Sequence, residues 1–147
     1  MATTNRSHLV QSAGTGIEAL AQVEEILKGS GFDPILRHLV KLRVSQINGC
    51  AFCVKMHNRE AREDGETNDR LDHVVVWRHV DLFTDAEKAA LAWAEALTTR
   101  GTNVGLEDLH DRLEQHFSRE DIGTLSLIVV MINTWNRLQI AMHNEAF

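Results

Sequence analysis

The two cysteines of the chain, Cys50 and Cys53, stand three residues apart in the segment Cys50-Ala-Phe-Cys53. His57 follows four residues after the second cysteine, so the full pattern is Cys-x-x-Cys-x-x-x-His. Two thiols at this spacing, in a chain without export features, indicate redox chemistry or metal binding. A purely structural disulfide is a weaker explanation, because so small a loop removes little entropy from the unfolded chain.

Helix geometry relates these three residues to one another. At about 100° per residue, the side chains of Cys50, Cys53 and His57 fall within an arc of about 60°. Cys53 and His57 are one turn apart and can touch. Cys50 comes directly after Asn48-Gly49, where a new helix begins, and the free amides and dipole of a helix start favour a thiolate. The pattern therefore predicts two differently activated sulfurs, Cys50 by the helix terminus and Cys53 by the imidazole.

Three interpretations of the cysteines stay open from the residues alone. A dithiol–disulfide couple is favoured, and it needs no metal and no cofactor. Inert, buried cysteines are the second interpretation. The third is a zinc site, since thiolates and imidazole bind zinc well, but it lacks a fourth ligand at a recognisable spacing. The sequence has no glycine-rich phosphate loop, so no nucleotide cofactor is expected.

The elements that must position these residues are helices. Apolar residues recur at spacings of three and four, and alternation typical of strands is scarce. Asp33-Pro34, the capping box Thr84 to Glu87, and Ser118 mark helix starts. The sequence predicts an all-α, single-domain bundle of six or seven helices, within the segments 17–27, 34–47, 50–64, 67–76, 84–99, 106–116 and 118–142.

Composition narrows the class of protein further. The 147 residues are 44% hydrophobic and 24% charged, with a formal net charge of −6, as in ordinary globular proteins. The acidic balance argues against nucleic-acid binding, which usually needs a basic face. No apolar run approaches the length of about 20 residues that crosses a membrane, and the first residues contain no apolar signal core. We expect one domain over residues 1–147, in the cytoplasm, without a membrane or nucleic-acid partner.

The segment Ser45-Gln-Ile-Asn-Gly-Cys-Ala-Phe-Cys-Val-Lys-Met-His57 resembles the signature of alkylhydroperoxidase D-like (AhpD-like) proteins in the carboxymuconolactone decarboxylase superfamily. Further blocks are similar to one branch of these proteins, and they lie at 65–71, 77–78, 83–84, 89–95 and 132–138. The resemblance implies an antioxidant peroxidase or a disulfide reductase on an all-α fold that assembles into trimers or hexamers. The decarboxylase side of the superfamily lacks the cysteine pair, so lactone decarboxylation is not expected.

The resemblance also implies a role for each residue of the signature. His57 would help to deprotonate the Cys53 thiol, and the Cys53 thiolate would attack an organic hydroperoxide. Cys50 would then convert the resulting sulfenic acid on Cys53 into a disulfide. An exposed Cys50 would then receive the attack of a thiol reductant, for which the resemblance suggests a lipoyl-bearing protein.

The chain departs from the family pattern at two places. His38 stands twelve residues before the first cysteine, where well-known members carry a glutamate of the proton relay, and Phe52 stands where some carry a histidine. His38 could shuttle a proton, since histidine titrates near neutral pH, or it could simply pack or be solvated. Glu60 and Asp64 share the helical face of His57, and Glu60, three residues further on, could orient the imidazole, although a solvated acidic face is the more frequent reason for such residues. An alternative function is therefore a metal-binding or redox-sensing oligomer with little peroxidase turnover.

Overall fold

Helices account for most of the computed structural model, which describes residues 6, 8–99 and 105–143. Within those residues it contains no strand, so the all-α prediction is confirmed. Eight α-helices and one 3₁₀ helix follow in order: α1 (His8–Ser12), α2 (Gly14–Lys28), α3 (Pro34–Asn48), α4 (Ala51–Glu63), α5 (Asn68–His73), the 3₁₀ helix Val74–His79, α6 (Asp85–Thr99), α7 (Leu106–Glu114) and α8 (Arg119–Met142).

The predicted helix starts are formed by capping side chains. Asp33 caps α3 and accepts hydrogen bonds from the amides of Ile35 and Leu36, with Pro34 at the first helical position. Thr84 and Glu87 form the predicted capping box, in which each side chain accepts the amide of the other residue, at 3.1 and 2.8 Å. Such bonds satisfy amides that the first helical turn leaves without partners.

Helix α3 lies at the centre of the bundle and packs against α4, α6 and α8. Its apolar side chains are buried on more than one face, and α8 supplies the other large share of the same hydrophobic cluster. The fully buried apolar members from the two helices are Leu39, Val40, Leu42 and Val44 on α3, and Leu125, Ile128, Val129 and Ile132 on α8. A helix held in this way by three neighbours gives its polar residues fixed positions.

The described residues contain more helices than the six or seven that the sequence predicts, and two segments account for the difference. Helix α1 lies outside the predicted segments. It buries no residue, so its sequence lacks the apolar stripe by which a helix is predicted. The segment expected as one helix over 67–76 is divided into α5 and the 3₁₀ helix, with a non-helical backbone at Val76. Three consecutive β-branched valines start the 3₁₀ helix, and such side chains are crowded in an α-helix.

None of the helices in the described ranges is both long enough and apolar enough to cross a membrane.

Candidate active site

The site begins at the turn between α3 and α4. Gly49 ends α3 with φ 70° and ψ 29°, a left-handed conformation that glycine adopts without steric cost. The amide of Cys50 donates to the carbonyl of Ser45 at 3.1 Å. Cys50 is the N-cap of α4, and its Sγ accepts the amide of Cys53 at 3.3 Å. The prediction that Cys50 stands at a helix start is confirmed.

A buried polar network holds the residues that precede this turn. The side-chain amide of Asn48 donates to Asn133 and Asn136 of α8, at 2.9 and 3.0 Å. Asn136, fully buried, donates in turn to the hydroxyl of Ser45 at 2.9 Å. A buried polar group without a partner is costly, so this network fixes the end of α3 against α8. The approach of the chain to Cys50 is therefore set by tertiary contacts.

The two cysteines are joined by a disulfide, with their Cα atoms 5.3 Å apart. Cys50 is only 2% exposed and Cys53 only 1%. The expectation of an exposed Cys50 was therefore wrong. The N-cap geometry turns the Cys50 sulfur back onto the first turn of α4, where it meets the amide and the sulfur of Cys53, and so it does not point outward.

His57 lies one helical turn after Cys53 and is 3% exposed. Its Nδ1 is 3.4 Å from Oε2 of Glu60, but neither ring nitrogen makes a hydrogen bond within the described part of the chain. Burial lowers the pKa of His57 from its ordinary value of 6.5, and the nearby Glu60 carboxylate offsets this only in part. Burial therefore favours the neutral form of the imidazole, which can accept a proton.

His38 lies on α3, faces the far end of α4 and is 5% exposed. Its Nε2 is 2.6 Å from Oδ2 of Asp64, and its Nδ1 is 4.0 Å from Oε2 of Glu60. The structure thus brings two imidazoles and two carboxylates into one row, in the order Asp64, His38, Glu60, His57. Of the two interpretations of Glu60, the structure favours contact with the imidazole of His57 over a purely solvated acidic face, and Asp64, although exposed, contacts the buried His38.

A cavity of about 370 Å³ opens beside the disulfide. Cys53, His57 and Glu60 form the reactive part of its wall, and Phe52, Met56, Ile132 and Trp135 form the apolar part. Cys50 does not line it. A mixed wall of this kind suits a small organic molecule with one polar reactive group. Trp135 thus forms part of the wall of the site.

Two further residues of the site were not found from the sequence. Glu24 of α2 accepts the indole N–H of Trp135 at 2.9 Å and pairs with Lys41 of α3 at 2.8 Å. This pair and Glu60 are shared with a second cavity, of about 370 Å³, whose wall includes His38 and Asp64. Lys41 lies three residues after His38 on α3, so their shared helical face could have predicted Lys41 from the sequence. Glu24 comes from a separate helix and had no local signal.

The comparison with known proteins decides the family. Residues 17–96 match the carboxymuconolactone decarboxylase family. The chain belongs to this family. It is 37% identical over 143 residues to the uncharacterised protein YdfG of Bacillus subtilis strain 168, and the match covers 97% of each protein. It is also 34% identical over 115 residues to the uncharacterised protein YnjA of Escherichia coli K12, covering 78% of this chain and 63% of YnjA.

Solved structures place this family member among AhpD-like folds. The protein of unknown function ATU0492 from Agrobacterium tumefaciens, proposed to be the antioxidant defence protein AhpD, matches with a TM-score of 0.88 and 33% identity over 97% of both chains. The debrominase Bmp8 matches with a TM-score of 0.78 and 20% identity, over 90% of this chain and 73% of its own. An uncharacterised peroxidase-related protein from Silicibacter sp. TM1040 matches with a TM-score of 0.76 and 21% identity, over 86% of this chain and 67% of its own. The last two likenesses concern the fold alone.

The pKa of His57 can be measured by NMR titration of the protons on its ring carbons in the oxidised protein. We expect a pKa below 6.5, because burial disfavours the charged ring. In Glu60→Gln the pKa of His57 should fall further, because the variant removes the carboxylate that favours the charged ring. A wild-type pKa at or above 6.5, or a rise in Glu60→Gln, would contradict this description of the site.

Proposed function

We propose that this protein is a thiol-dependent peroxidase of the alkylhydroperoxidase type, or a disulfide reductase, with Cys50 and Cys53 as its redox pair. The observation that carries the proposal is the position of the Cys50–Cys53 disulfide, with Cys53 in the wall of a cavity that also holds the buried imidazole of His57. Family membership and the likeness to ATU0492 support an antioxidant role. The cysteine pair, in a site of this kind, favours redox chemistry over lactone decarboxylation.

The proposed cycle starts from the reduced protein. His57 takes the proton of the Cys53 thiol, and the thiolate attacks the terminal oxygen of a hydroperoxide ROOH. The O–O bond breaks, Cys53 becomes a sulfenic acid, and the leaving RO⁻ takes the proton from His57 to give ROH. The sulfur is oxidised by two electrons and the peroxide is reduced by the same two.

Cys50 then completes the oxidation. Its thiolate attacks the Cys53 sulfur, the S–O bond breaks, and hydroxide leaves and is protonated to water. The N-cap position of Cys50 supports this role, because the amides of the first turn of α4 stabilise negative charge on its sulfur. The short Cα–Cα distance of 5.3 Å lets the disulfide form without movement of the helix.

A dithiol returns the protein to its reduced state by thiol–disulfide exchange, and two of its thiols become a disulfide. The resemblance to AhpD-like proteins suggests a lipoyl-bearing protein for this step. Both sulfurs are nearly inaccessible, but of the two cysteines it is Cys53 that lines the cavity. We therefore propose that the incoming thiol approaches through the cavity and attacks the Cys53 sulfur. This reverses the expectation that was based on an exposed Cys50.

The row of Asp64, His38, Glu60 and His57 supplies a path for protons in this proposal. Asp64 is exposed at the outer end, and His57 lies at the inner end beside Cys53. His38 occupies the position of the relay glutamate of the family, and its contact with Asp64 gives it a carboxylate partner of its own. We propose that His38 takes over the relay role, with Glu60 between the two imidazoles.

Two serine variants separate the roles of the cysteines. In Cys53→Ser, consumption of an organic hydroperoxide should fall to the uncatalysed background, because the nucleophile is lost. In Cys50→Ser, one peroxide should be consumed per chain, and a sulfenic acid at Cys53 should be trapped by dimedone and located by mass spectrometry. Undiminished turnover in Cys53→Ser would exclude Cys53 as the nucleophile. A dimedone adduct that forms on Cys50 in Cys53→Ser, with none on Cys53 in Cys50→Ser, would exchange the roles of the two cysteines.

An oligomer is also part of the proposal. Leu127 and Val130 of α8 are exposed and lie one helical turn apart on the same side of the helix. Apolar residues grouped on a long helix often mark contacts between subunits, and the family resemblance implies trimers or hexamers.

Light scattering coupled to size exclusion tests this assembly. We expect a mass of three or six chains, and we expect Val130→Asp to lower it by placing a charge in the buried contact. Lys88→Asp on α6 is the matched control, since it changes charge outside this face. A wild-type mass of one chain, or no change in Val130→Asp, would exclude the proposed interface.

A further inference from the structure

Buried ring nitrogens without hydrogen-bond partners are grouped around Glu60, and a relay of protons alone does not satisfy them. His38 Nδ1 and both ring nitrogens of His57 are buried and have no hydrogen-bond partner among the described residues. His38 Nδ1 and His57 Nδ1 lie 4.0 and 3.4 Å from the same carboxylate oxygen, Oε2 of Glu60. Buried polar atoms are nearly always satisfied, so such a group calls for a ligand that can bind one nitrogen of each imidazole.

The state of the His38 ring follows from its other contact. Its Nε2 is 2.6 Å from a carboxylate oxygen of Asp64, which can only accept, so Nε2 carries the hydrogen and donates it. Neutral His38 then has a lone pair on Nδ1, and this lone pair faces Glu60. A histidine that donates one N–H to a carboxylate and offers its other nitrogen inward has the arrangement found for metal-binding histidines.

We propose that His38, His57 and Glu60 form a binding site for a divalent cation of the zinc class, with Asp64 orienting His38. Two imidazoles and one carboxylate are a common set of protein ligands for zinc, with solvent or a substrate in the remaining position. The ligand atoms of the three residues all lie within 4.8 Å of one another. This donor set contains no sulfur, so it differs from a zinc site built on the cysteine pair.

Zinc would draw the three ligand atoms closer together, since they now lie within 4.8 Å of one another. Zinc bonds of about 2.0–2.1 Å in tetrahedral geometry put two ligand atoms roughly 3.4 Å apart. The His57–Glu60 pair, at 3.4 Å, has this spacing already, and the His38–Glu60 pair, at 4.0 Å, must close slightly. Glu60 is half-buried and lines both cavities, so its carboxylate can move and a solvent molecule can reach the remaining position.

A second group of possible ligands, His110, Asp111 and Glu114, provides an internal control. It lies on α7 with both of its carboxylates exposed, and its atoms are absent from the buried unsatisfied group. Exposed acidic residues commonly stand together without a cation, so we expect no comparable affinity there.

The site has a consequence for the redox cycle, and this consequence alone rests on the proposed function. A cation on His57 Nδ1 and Glu60 would occupy the lone pairs through which protons pass to His57. Zinc should then inhibit peroxide turnover, and a chelator should reverse this inhibition. Binding itself does not depend on whether the protein reduces peroxides.

The test is a zinc titration of the fully oxidised protein, in competition with a chromophoric chelator, after a thiol assay has confirmed that no free thiol remains. We expect one zinc per chain in the wild type and in Cys50→Ser/Cys53→Ser, because no sulfur takes part. Glu60→Gln and His38→Ala should lose this binding, and Asp64→Ala should weaken it by about 10- to 100-fold. His110→Ala should bind like the wild type.

Three results would overturn the site: no stoichiometric zinc on the wild type, loss of zinc in the double serine variant, or unchanged binding in Glu60→Gln and Asp64→Ala. The last two variants change partly exposed side chains, so the test stands even if His38→Ala does not fold. Failure of the peroxidase assays would leave each of these results unaffected.

Discussion

Gly49 ends α3 in the left-handed conformation, with φ 70°, and the chain enters α4 after one further residue. A residue with a Cβ is disfavoured there, so the tight turn depends on glycine. The turn makes Cys50 an N-cap and sends α4 back along α3. Residues at similar distances on either side of it therefore meet, which is why His38 reaches Glu60 and Asp64. The cysteine pair and the histidine–carboxylate row are two results of one backbone constraint.

The site combines a dry end and a wet end. The disulfide and His57 are nearly inaccessible, whereas Asp64 is exposed and Glu60 lies between them. Desolvation is the largest influence on His57, and it outweighs the attraction of Glu60, so the pKa of the imidazole is lowered. The approach of His57 in turn lowers the pKa of the Glu60 carboxyl. A neutral base beside an ionised carboxylate suits proton transfer from a thiol, and it also presents several lone pairs to a cation. The fold alone does not determine the chemistry of the site, since a debrominase and an uncharacterised peroxidase-related protein have similar folds.

Local patterns in the sequence predicted much of this. The all-α class, the caps at Asp33, Thr84 and Ser118, and the position of Cys50 at a helix start all depend on residues close in sequence. The burial of Cys50 could not be predicted, because it depends on the direction in which a capping side chain turns.

The site residues and contacts that could not be predicted from the sequence involve helices α2 and α8, or join α3 to the end of α4. Glu24 and Trp135 reach the cavity from α2 and α8, and no local spacing relates them to the cysteines. The contact of His38 with Asp64 was accessible in principle, since both residues lie twelve to fourteen positions from Cys50 on opposite sides. Recognising it required the helices to be antiparallel, and that follows only from the tight turn at Gly49.

The central claim is that peroxide converts two thiols of this chain into one internal disulfide. The most direct measurement is a thiol count on the reduced, metal-free protein before and after one equivalent of an organic hydroperoxide, with mass spectrometry of the digested product. The account predicts rapid loss of both thiols and a Cys50–Cys53 peptide linked by a disulfide. Two thiols that survive unchanged would contradict it and would leave the histidine–carboxylate row as the chemistry to explain.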